Sequence, residues 1–140
     1  MKPQETFDFQ IRKSWIALSK MYNEQVAQYG LTVAMGFALL NIDIKKGTPS
    51  TSLGPKMGME STSLSRTLKR MEDEKLIYRQ KSDEDGRMVR IFLTDLGSEM
   101  REKSKQTVLQ LNNAIRSEVS DERLEIFLDV IGDIQRVLNH

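Results

Sequence analysis

The stretch Met57–Gly97, MGMESTSLSRTLKRMEDEKLIYRQKSDEDGRMVRIFLTDLG, changes its hydrophobic period twice. Gly58 and Met59 read as a tight turn, and a helix is expected from about Ser61 to Glu74, with Leu64, Leu68 and Met71 pointing inward. "IYRQK" and "VRIFL" then alternate apolar and polar residues around a Gly-containing turn, the pattern of a β-hairpin. "LTDLG" ends the second strand, with Thr94 placed to cap a following helix and Asp95 favourable in its first turn.

Upstream, Phe7, Ile11, Trp15, Leu18, Tyr22 and Val26 recur at steps of three and four, one face of an amphipathic helix ending near Gly30. A second helix is expected to carry Val33, Phe37, Leu40 and Ile44 on one face and to stop before "KKGTP". Leu53 and Met57 mark a short helix, with Pro55 awkward inside it. Downstream, Val108, Leu111, Ile115 and Val119 line a long helix that breaks at "SDE", where Ser120 would cap the next. The final helix places Leu124, Phe127, Ile131, Ile134 and Leu138 along a coiled-coil-like seam. The fold class expected is mainly α with a small β-hairpin (α+β). The terminal helices pack either on the middle of their own chain or between two chains, and the seam favours the second.

Helix, tight turn, helix and hairpin is the layout of a winged helix-turn-helix, whose second helix enters a DNA major groove. At about 100° per residue, Thr62, Arg66 and Lys69 fall opposite Leu64, with Ser63 and Arg70 beside them. No carboxylate interrupts that outer face before Asp73. Arg bonds guanine bidentately and hydroxyls serve phosphates or bases; the alternative is an ordinary solvated face. An arginine at a hairpin tip is expected to suit the narrow, negative minor groove beside a seated recognition helix, and Arg87 would be that residue. Asp85 would pair with Arg87 or Arg90, or simply make the turn.

Composition narrows the function. The 140 residues fit one globular domain, and the sequence contains no Cys, which excludes disulfides, Cys-ligated zinc and thiol chemistry. The single His140 argues against a His-based triad or metal site, and neither a positioned nucleophile nor a Gly-rich phosphate loop is present, so no enzyme, no cofactor and no metal are expected. The N-terminus has no apolar stretch behind its lysine, and "VAMGFALL" is too short to cross a bilayer, so a cytoplasmic protein without membrane contact is expected. From Lys45 to Arg90, eleven Lys and Arg face seven Asp and Glu, a net +4 within a chain of net charge +1, which suits a polyanion partner.

"DGRMVRIFLTDLG" resembles the D-x-R…L-T-x-x-G wing motif of the MarR (multiple antibiotic resistance regulator) family, at Asp85, Arg87, Leu93, Thr94 and Gly97. "MGMESTSLSRTLKRMEDEKLIYR" is similar to that family's recognition-helix stretch. The resemblance implies a homodimeric regulator, usually a repressor, that binds a near-palindromic double-stranded operator and is often released by a small aromatic effector. It implies dimerisation helices at 1–30 and 98–140 around a winged helix-turn-helix at 31–97.

Carried over, Thr62, Ser63, Ser65 and Arg66 fall in the recognition helix and Asp85 and Arg87 in the wing, Ser82 to Met88. Lys69, Arg70 and Arg90 join them from the wheel and the hairpin. Trp15, Met21, Tyr22, Met35 and Phe37 are candidates for an effector pocket, or plain core. Three departures from the pattern stand out: Lys75 where a helix-ending Gly is common, Pro55 with Gly54 in the short helix, and Glu60 at the usual cap position, leaving Ser61 to cap. A winged-helix protein-interaction module without specific DNA binding is the alternative, because fold alone does not fix function.

Overall fold

The computed structural model describes residues 1–81 and 86–139. Among the described residues, six α-helices and three short strands follow one another: α1 (Phe7–Ala27), α2 (Val33–Asn41), β1 (Thr48–Pro49), α3 (Ser50–Met57), α4 (Ser61–Asp73), β2 (Ile77–Lys81), β3 (Val89–Leu93), α5 (Asp95–Glu118) and α6 (Asp121–Leu138), with one 3₁₀ turn at Pro3–Glu5. Residues 1–107 form one compact unit and residues 108–140 a second. No described helix is long and apolar enough to cross a membrane.

In the first unit the core gathers Val26 of α1, Met35, Ala38 and Leu39 of α2, Leu53 of α3, Leu64, Leu68 and Met71 of α4, and Ile77 and Ile91 of the sheet. Fully burying each Leu, Ile or Met in it contributes about 1.5–3 kcal/mol. α1 buries only Tyr22 and Val26 from its stripe; Phe7, Ile11 and Trp15 are 61%, 43% and 50% exposed. Its cap is the Thr6 hydroxyl, which accepts from the Phe9 amide at 3.4 Å.

The face expected for α2 needs correction. The helix ends at Asn41, Ile44 lies beyond it and is 59% exposed, and the buried residues are Met35, Gly36, Ala38 and Leu39. A helix that is apolar all round offers no single stripe to read. Gly36 meets Ser104 of α5, whose Oγ would sit 3.4 Å from an added Cβ, so small residues set that approach.

β1 is a strand that alternation over two residues does not disclose. It pairs antiparallel with β3, Thr48 opposite Ile91, giving a three-stranded sheet ordered β1-β3-β2. Gly47 precedes it at φ +66, and a Cβ there would fall 2.8 Å from the Ile91 carbonyl and the Phe92 ring. The hairpin strands have the limits expected, with Ile77 opposite Leu93 and Lys81 opposite Val89.

α3 keeps Pro55 inside its span, near the C-terminal end, and ends on Gly58 at φ +64. α4 begins with Glu60 as N-cap and no side-chain cap bond, so Ser61 is its first helical residue and does not cap it. Its last helical residue is Asp73, one short of the expected end. Lys75 takes φ +62, the left-handed conformation anticipated for the glycine position. The turn closes as a Schellman motif, with the Leu76 amide bonding the Met71 carbonyl at 2.9 Å and the Lys75 amide bonding Glu72 at 3.0 Å.

In the second unit, the end of α5 leads through Ser120 into α6, whose Arg123 amide donates to the Ser120 hydroxyl at 3.4 Å. α6 buries no residue. Its seam residues Leu124, Ile131 and Ile134 are half-buried, while Phe127 and Leu138 are 57% and 68% exposed.

Candidate nucleic-acid interface

α4 is held by its inner face, Leu64, Leu68 and Met71, all at most 6% exposed. That anchoring fixes the helix rotation and turns Thr62, Ser63, Ser65, Arg66, Lys69 and Arg70 to solvent, where all six are exposed. The cations there are not equivalent. Arg70 Nε lies 3.4 Å from Glu74 Oε1, one turn on, whereas Arg66 and Lys69 have no ion pair among the described residues. Glu72, the next acidic residue on the helix, is engaged by Arg79 of β2 at 3.5 Å. The outer face of α4 therefore keeps a hydroxyl-rich N-terminal half and two cations not held in ion pairs.

Arg87 is exposed in the turn before β3, beside Met88 at 41% exposure. Arg90 points elsewhere: its Nη1 donates to the carbonyls of Lys46 and Gly47, both at 3.4 Å, tying β3 to the loop ahead of β1. Asp85 lies outside the described residues, as does most of the wing tip, Ser82 to Asp85.

The end of the hairpin is joined to the end of α4 by one hydroxyl. Thr94 Oγ1 accepts from the Gly97 amide at 2.9 Å, capping α5 as expected, and is 2.6 Å from the Lys75 carbonyl, to which it donates. Gly97 belongs in that motif for a steric reason: a Cβ there would stand 1.9 Å from the Leu76 carbonyl oxygen. The L-T-x-x-G pattern is thus a clamp between the helix α4 terminus and the start of α5.

The candidate effector residues are brought together in part. Phe37 stacks on Trp15 with centroids 6.2 Å apart and meets Tyr22 edge-on at 5.8 Å. Burial raises the Tyr22 phenol above its ordinary value. Met35 is 1% exposed in the core, and Met21 is half-buried.

A second feature was not legible in the sequence. A groove of about 410 Å³ opens at the end of α2, with Lys45, Lys56 and Arg101 on its walls. Asp43 also lines it, but its carboxylate accepts from the Lys46 and Lys45 amides at 2.8 and 2.9 Å, which holds its pKa below the ordinary value. Residues so far apart in the chain carry no local pattern that would announce them.

Comparison with known proteins agrees with this architecture. The MarR family model matches residues 31–89. The "Organic hydroperoxide resistance transcriptional regulator" of Bacillus subtilis is 31% identical over 104 residues, covering 74% of this chain and 71% of that protein. An uncharacterised HTH-type transcriptional regulator of the same organism, YdgJ, is 28% identical over 90 residues, 64% of this chain and 55% of that one. The chain thus matches about half of YdgJ's length. A crystal structure of the Staphylococcus aureus MepR–DNA complex superposes with a TM-score of 0.87 at 19% identity, over 94% of this chain and 98% of that one, and so shares its fold. The fold is that of a winged-helix transcriptional regulator. The chain belongs to the MarR family.

Proposed function

We propose that this chain is a dimeric, sequence-specific DNA-binding transcriptional regulator, a repressor released by a small-molecule effector. The observation that carries the reading is the outer face of α4. Its hydroxyls, Arg66 and Lys69 stand exposed, the two cations with no ion pair among the described residues, on a helix whose rotation the core fixes. In this reading Ser61–Asp73 lies in the major groove, with Arg66 at base edges and the Thr62, Ser63 and Ser65 hydroxyls at bases or phosphates. The wing, including Arg87, follows the neighbouring minor groove. Arg70 contributes less, because Glu74 already neutralises it, and Arg90 acts through the sheet.

Dimerisation is supported by the apolar faces of α1 and α6, each of which suits a second copy. Phe127, Leu128 and Val137 are 57%, 61% and 73% exposed on α6, more apolar surface than a helix in water ordinarily leaves uncovered. Two copies of α4 about 34 Å apart would read a near-palindromic operator. The ring cluster of Trp15, Tyr22 and Phe37 supports an aromatic effector. Thiol-based peroxide sensing is unavailable to a sequence without cysteine.

A footprint on DNA from upstream of its own gene tests the reading. Two protected patches centred about 10 base pairs apart are expected. Uniform protection with no preferred position would refute sequence-specific binding.

A further inference from the structure

We propose that Glu72, through its ion pair with Arg79, is a positioning residue that sets the wing against α4; the proposal rests on the DNA-binding reading of both elements. Glu72 stands where its surroundings disfavour a carboxylate. It lies in the last turn of α4, the negative end of the helix dipole, and within the basic middle of the chain that suits a polyanion. What offsets both is Arg79 of β2, whose Nε lies 3.5 Å from Glu72 Oε2. With the two side chains 37% and 42% exposed, such a pair adds little to the stability of the fold. Its effect is on geometry.

β2 gives the pair something to hold. Of its residues only Ile77, the first, is buried, while Tyr78, Arg79, Gln80 and Lys81 are exposed. Beyond Ile77 the strand keeps its ladder with β3, Arg79 opposite Ile91, but has no buried side chain of its own. On the helix side the end is firm: Met71 is buried beside Glu72, and its carbonyl accepts from the Leu76 amide. The backbone turn therefore sets where β2 starts, and the bridge from Glu72 to Arg79 sets the direction in which it leaves. β3 has a separate brace, Arg90 on the Lys46 and Gly47 carbonyls, so each strand of the hairpin is tied to a neighbour. A wing held in this way presents Arg87 at a fixed angle to the outer face of α4.

The test is an anisotropy titration of the full chain on upstream DNA with Glu72→Ala, Arg87→Ala and the double variant, beside urea unfolding of each. By charge alone, removing a carboxylate from a DNA-binding domain tightens binding. Positioning predicts the opposite sign. Glu72→Ala is expected to weaken binding about fivefold while its urea midpoint stays close to that of the parent protein. In the Arg87→Ala background the same change is expected to add little, because the wing contact it serves is already lost. Unchanged or tighter binding in Glu72→Ala, equal losses in both backgrounds, or a urea midpoint well below the parent's would each overturn the proposal. Each of those outcomes leaves DNA binding by the parent protein standing, whereas a parent protein that binds no DNA overturns the reading and the proposal with it.

Discussion

Lys75 sits at φ +62, where a side chain is strained and glycine is not. Its place in the Schellman turn fixes where α4 ends and β2 begins. Lys75→Gly is expected to raise stability by about 0.5–1 kcal/mol, the relief of strain less the added freedom of the unfolded chain, read from the urea midpoint. A lower midpoint would mean that the lysine side chain stabilises the turn in some other way. Both ends of this small clamp are legible in the sequence. Thr94 and Gly97 stand at the cap spacing, and Lys75 occupies a position where glycine would be easiest. What the sequence does not disclose is that Thr94 also reaches back to the Lys75 carbonyl, since that contact spans 19 residues.

α4 is the element whose reading transfers best from sequence to structure. Its apolar residues occupy a narrow arc, so inward and outward faces follow from spacing alone. The hairpin strands are equally plain because alternation and a turn bound them on both sides. α2 fails the same test: with nearly every position apolar, spacing cannot choose among faces, and Ile44 falls outside the helix altogether. β1 is too short to alternate. Ion pairs add a distinction invisible to a helical wheel, which places Arg66 and Arg70 alike on the outer face. Arg66→Ala should weaken operator binding by about 1–3 kcal/mol and relax specificity at its base pair. Arg70→Ala should cost clearly less, because its charge is already shared with Glu74. Equal losses in an anisotropy titration would show that Arg70 leaves Glu74 for DNA.

At the scale of the molecule, the proposed operator binding calls for a second copy, since one α4 offers only two outer cations without an ion pair among the described residues. The exposed residues of α6 are where that copy is expected; Phe127 and Leu138 belong to the seam read from the sequence, whereas Leu128 and Val137 do not and Leu124, Ile131 and Ile134 are half-buried. Phe127→Glu should give a folded monomer at micromolar concentration where the parent protein is a dimer, measured by sedimentation. A dimer surviving that change would move the interface away from α6. The most direct test of the DNA-binding claim is an anisotropy titration on upstream DNA at several salt concentrations, with Arg66→Ala and Arg87→Ala beside the parent protein. The account predicts affinity that falls linearly with the logarithm of salt, weaker binding in both variants, and relaxed sequence preference in Arg66→Ala. Binding that ignores salt, sequence and both arginines would contradict it and make the winged domain a platform for another protein.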